Sequence, residues 1–231
     1  METDFSGLCT IIDILLGENG CPWDRSQTFQ SMRQCILEET YEVIDAVNKN
    51  DNTALCEELG DVLMNVLLYS KLAERNGLFT IDDVLAGISN KMIFRHKHVF
   101  SNEHAETSEQ ALKIWEKSKQ QEKSDENELS SVAAALPALL RTSKILKKAE
   151  KTDQVLSKPD KSAVIELVEK CSVLKKNATD NEKDALVGVL LIEVVKFSNF
   201  LEINPEISLT NALEQFINRF GRINRRFCTT S

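Results

Sequence analysis

Residues 59–68 read Leu-Gly-Asp-Val-Leu-Met-Asn-Val-Leu-Leu, a run that is apolar nearly all the way round a helix apart from Asp61 and Asn65. A helix without a polar face has to be covered on most sides, so the run predicts a helix inside a helical core and a buried Asp61. A lone carboxylate in that setting is costly unless it is paired or bound to a cation. At about 100° per residue, Glu58 and Asp61 stand about 60° apart on one helix face. The helical segment before it carries Glu39 and Glu42 at the same spacing. Two packed helices then bring four carboxylates together, and a hard divalent cation is the usual relief for such a cluster. Oxygen-only ligands favour Mg²⁺ or Mn²⁺, and Mg²⁺ usually completes its shell with water and substrate phosphate.

The rest of the composition agrees with helices. Among 231 residues there are only four prolines and eight glycines, and 42% hydrophobic with 28% charged residues is the balance of a globular chain of one or two domains. The net charge of −8 argues against nucleic acid or an anionic membrane as a partner and leaves any phosphate ligand dependent on local cations. No signal peptide is visible, and the longest apolar run, Ala185–Val195, is interrupted by Glu193 and too short to span a bilayer. Six cysteines form no C-x-x-C pair. The expected setting is therefore the cytoplasm, with reduced thiols.

Several motifs occur in order: Asn19-Gly20-Cys21-Pro22-Trp23-Asp24 with Gln27-Thr28, then Glu39-x-x-Glu42, then Glu57-Glu58-Leu59-Gly60-Asp61. Lys91, Arg95-His96-Lys97-His98-Val99-Phe100 and Trp115-Glu116 follow. Together they resemble the MazG-like branch of the all-α nucleoside triphosphate pyrophosphohydrolases, over roughly residues 7–119. The resemblance implies an all-α bundle and hydrolysis of a nucleoside triphosphate to the monophosphate and pyrophosphate. It also implies a homodimer. Glu39, Glu42, Glu58 and Asp61 are then the metal ligands. Lys91 and Arg95, spaced i, i+4, can reach one anion, and the resemblance assigns them to the triphosphate. The family pattern Arg-Arg-His-Pro-His is broken here by Phe94 and Lys97, which removes a second arginine.

Other residues keep two readings. Glu38, beside the ligands, either orients water as a base or is simply exposed. Trp23, after Pro22, either stacks on a base or packs in the core. Asn65, one turn after Asp61, either contacts substrate or satisfies a buried backbone group. The residues alone also leave open a noncatalytic helical adaptor whose acidic cluster binds a cation for stability or serves as a partner surface.

Helices are expected over Asp4–Leu16, Ser26–Asn48, Thr53–Arg75 and from a Thr80 N-cap to Lys97. The segment from Lys117 to Ser131 is charged, without an apolar stripe, and reads as a solvated helix end running into a linker. Further helices are expected over Ser143–Lys151, Lys161–Leu174, Asp180–Leu201 and Leu209–Phe227. The domain reading is 1–120 catalytic, 121–131 linker and 132–231 a second helical domain. A shift of 128 residues sets Gly60 on Gly188, Leu63 on Leu191, Val66 on Val194 and Ser70 on Ser198, a weak internal repeat. The ligands do not repeat: the shift sets Leu186 and Val189 on Glu58 and Asp61, and in the preceding helix the alignment that the family resemblance implies sets Lys170 and Val173 where Glu39 and Glu42 stand. The second unit reads as a degenerate copy without a metal site.

Overall fold

The computed structural model describes residues 4–122, 129, 131–151, 161–174 and 179–227. Among the described residues every regular element is a helix, in two compact units that divide between Glu122 and Lys123. The first unit holds α1 (Phe5–Leu16), α2 (Pro22–Arg25), α3 (Met32–Lys49), α4 (Asn52–Arg75), α5 (Ile81–Arg95), α6 (Lys97–Phe100) and α7 (Ser108–Gln121). The second holds α8 (Ala138–Lys151), α9 (Lys161–Leu174), α10 (Asp180–Phe200) and α11 (Pro205–Phe227).

Local chemistry sets the helix ends. Asp4 caps α1 by accepting from the Gly7 amide at 2.7 Å. Asn50 takes the left-handed conformation (φ 55°) at the end of α3, a conformation that suits Asn, and Asp51 opens α4 at once. Oδ1 of Asp51 accepts from the Thr53 and Ala54 amides, both at 3.0 Å. Thr80 and Asp83 form a reciprocal capping box that starts α5. Those hydrogen bonds from Thr80 also hold the Asp83 carboxyl below its ordinary pKa.

The core of the first unit is Ile12, Met32, Leu67, Leu68 and Leu72, so α1 and the start of α3 pack on the C-terminal half of α4. Each such side chain contributes about 1.5–3 kcal/mol by leaving water. Tyr69 ties the loop before α3 to α4: its hydroxyl donates to the Phe29 carbonyl at 3.2 Å and its ring stacks on Phe29. Burial along α4 begins at Asn65; upstream, Leu59 and Leu63 remain 51% and 39% exposed. Asp61 is accordingly half-buried rather than buried, because one chain covers only one side of the apolar run.

Other expectations shift at their ends. Ser26–Ser31 forms turns instead of the start of α3, with Thr28 and Ser31 exchanging side chain-to-amide bonds at 2.9 and 3.1 Å. α5 stops at Arg95, two residues early, while α7 ends at Gln121, within the charged segment expected to be a helix end. α8 begins at Ala138 and α11 at Pro205, each earlier than its apolar pattern alone suggested.

The 128-residue shift holds at the N-terminal ends of α4 and α10 as well. Asp51 caps α4, and Thr179, at the shifted position, caps α10 with Glu182 completing a capping box. Ser70 and Ser198 each bond back to the carbonyl four residues earlier, at 2.8 and 3.0 Å. α4 packs on α1, α3 and α5; α10 packs on α8, α9 and α11.

Candidate metal centre

The tight Asn50–Asp51 corner sets the register of α3 against α4. Glu42 lies eight residues before Asn50 and Glu58 seven after Asp51; Glu39 lies eleven before and Asp61 ten after. The antiparallel hairpin thus forms two acidic rungs, Glu42 with Glu58 and Glu39 with Asp61. The electrostatics follow the rungs. Desolvation raises the Glu39 pKa first, and the largest charge acting on it is Asp61, followed by Glu42 and Glu38. Desolvation likewise leads at Glu58, followed by repulsion from Glu42 and a hydrogen bond shared with it. Glu39, Glu58 and Asp61, all half-buried, each offer a carboxylate oxygen within 4.8 Å of the others.

A family model for the MazG nucleotide pyrophosphohydrolase domain matches residues 27–100, the segment that contains both rungs, Lys91 and Arg95. The nucleoside triphosphate pyrophosphohydrolase of Escherichia coli K12 is 37% identical over 215 residues, which are 90% of this chain and 82% of that protein. The nucleoside triphosphate pyrophosphohydrolase/pyrophosphatase MazG of Thermotoga maritima is 33% identical over 219 residues, 95% of this chain and 85% of that protein. The chain belongs to the MazG family of nucleotide pyrophosphohydrolases. It is also 39% identical to the YabN protein of Bacillus subtilis over 225 residues, which are 95% of this chain but only 46% of YabN.

In this MazG-family chain the donor set fits a hard cation. Ligand oxygens about 2.1 Å from Mg²⁺ lie at most about 4.2 Å apart, and the trio's oxygens, all of them carboxylate, lie within 4.8 Å of one another. Glu42 is exposed and stands outside the trio, coupled to it through Glu58. Glu38 is exposed and accepts from Gln34 Nε2 at 2.7 Å. Asp45, one turn further along α3, is engaged by Lys49 at 2.5 Å.

The remaining candidates are placed less simply. Asn65 is buried; its Nδ2 donates to the Asp61 carbonyl at 2.9 Å, so it does satisfy a backbone group next to the site. Its Oδ1 is enclosed without a hydrogen-bond partner. Trp23, on α2, is 62% exposed, which removes it from the core of this chain. Lys91 is exposed on α5. Arg95, one turn on, is not free: it meets Trp115 of α7 and Glu122 just after that helix. Nothing in the sequence marked Glu122, which lies in the segment read as solvated. A pairing across 27 residues has no local periodicity to betray it.

Proposed function

We propose that this chain hydrolyses nucleoside triphosphates, ribo- or deoxyribo-, to the monophosphate and pyrophosphate, in a role of nucleotide-pool clearance. The observation that carries the reading is the convergence of Glu39, Glu58 and Asp61 in a MazG-family segment. These three, with Glu42, would hold Mg²⁺, or Mn²⁺ in its place. Bound there, the ion supplies charge neutralisation on phosphate oxygens and a more acidic water. The chain's own part is to orient and to balance charge. Glu38, beside the ligand set on α3, or one of the ligands themselves, Glu39 or Glu42, is the candidate acceptor of a proton from water. Lys91 and Arg95 offset triphosphate charge, Trp23 offers an exposed ring for a base, and Asn65 closes the floor next to Asp61.

Two further features belong to the same reading. Leu37, Tyr41 and Ile44 on α3 and Leu59 and Leu63 on α4 are exposed apolar residues, and this exposure supports a homodimer in which a second copy covers them. The second unit is a degenerate copy kept for packing. Leu186 is half-buried and Val189 46% exposed, with no carboxylate at either place. The side chains of Lys170 and Val173 lie outside the described ones. Among the described residues no helix is long and apolar enough to cross a membrane, and Cys9, Cys21, Cys35 and Cys56 are unpaired; a cytoplasmic setting is part of the same reading. The test is pyrophosphate release from the eight common NTPs and dNTPs with Mg²⁺ and with EDTA. Turnover that is absent with Mg²⁺, or equal in EDTA, overturns the reading.

A further inference from the structure

Arg95 ends α5 and Glu122 follows the last residue of α7, and the two side chains close on each other. Nε and Nη2 of Arg95 both donate to Oε2 of Glu122, at 2.8 and 2.5 Å. The guanidinium lies over the Trp115 ring, 5.3 Å from its centroid. Beside it, Lys97 Nζ donates to Gln121 Oε1 at 3.1 Å, so the C-terminal end of α7 is tied at two points, to the last residue of α5 and to the first of α6. The Arg95 and Glu122 side chains are only 11% and 26% exposed. Fully exposed ion pairs hold little, but this one is screened from water on several sides and stacked on an aromatic face.

Arginine recognises phosphate through the same planar N–H edges that it offers a carboxylate. Here the Nε–Nη2 edge is taken by an internal anion. A phosphate oxygen arriving at that edge meets an acceptor already in place and a like charge beside it. We propose that Glu122 sets the affinity of the anion site by occupying Arg95 in the resting chain, so that a polyphosphate has to displace its carboxylate to engage the guanidinium. This rests on Arg95 being a triphosphate ligand. The apparent affinity is then lowered by the fraction of chains in which the pair is open.

The test is Glu122→Gln in the full chain, which keeps the shape and removes the charge. KM for the Mg²⁺-NTP is expected to fall at least about fivefold with kcat unchanged. Inorganic tripolyphosphate, titrated calorimetrically, is expected to bind tighter by about the same factor, and Glu122→Ala is expected to match it. Adding Arg95→Met should abolish the gain, since the cycle isolates the pair. An unchanged or higher KM in Glu122→Gln means that the carboxylate only positions Arg95, and the proposal falls. If the parent chain turns over no NTP, the activity reading fails by itself. The tripolyphosphate titration still decides the pair: tighter binding by Glu122→Gln supports it, and equal affinity overturns it.

Discussion

At Glu39 and Glu58 the folded chain works against itself. Both carboxyls sit where burial and neighbouring carboxylates raise the pKa from an ordinary 4.5. A raised pKa means that the folded chain binds the proton more tightly than the unfolded one. The stability linked to it is present below the ordinary value and is lost as pH rises through the folded value. Glu58→Gln is therefore expected to melt above the parent at neutral pH in EDTA, with the gap closing as pH falls toward 4.5. Saturating Mg²⁺ should reverse that order, because only the parent keeps all its ligands; thermal melts across pH, with and without metal, check both. On the proposed reading, catalysis depends on the same charges. Glu42→Gln and Asp61→Asn are each expected to lower kcat/KM at least tenfold, about 1.4 kcal/mol in barrier, with an unchanged helical circular dichroism spectrum. A variant that keeps more than about a tenth of the parent activity has not lost a metal ligand.

The α3–α4 hairpin turns these residues into a site, and its corner is where an element-level change should be felt. Asp51 closes the corner with two amide bonds, so Asp51→Ala is expected to cost about 1 kcal/mol in chemical denaturation and Asp51→Asn much less. Equal losses in the two variants would mean that the carboxylate acts there through its charge and not as a cap. Much of this level is legible in the residues themselves. The end of α4 at Arg75 and the N-cap at Thr80 come from local rules, as does the i, i+3 spacing that puts Glu58 and Asp61 on one face. The start of α3 is not. Ser26–Ser31 looks helical in composition, yet Thr28 and Ser31 satisfy each other's amides in a turn, a local alternative that Ser and Thr often offer the backbone.

Over the whole molecule, the register shared in the sequence extends to the caps that open α4 and α10, while the sequence places carboxylates at the four ligand positions in the first unit alone. A full chain in which Glu39, Glu42, Glu58 and Asp61 are all changed to their amides is expected to release no pyrophosphate from any NTP. Any Mg²⁺-dependent turnover left would have to come from the second unit and would end its reading as an inert copy. By itself the sequence determined the helical class, the Thr80 cap and the two i, i+3 carboxylate pairs, because each depends on residues within a few turns of one another. Only the tertiary structure decided that Asp61 stays half-buried, that Glu42 couples to Glu58 while Glu39 faces Asp61, and that Arg95 is held by Glu122. Those outcomes depend on which helix faces arrive side by side and how much of each is left uncovered, and the period of a single helix carries no record of its neighbour.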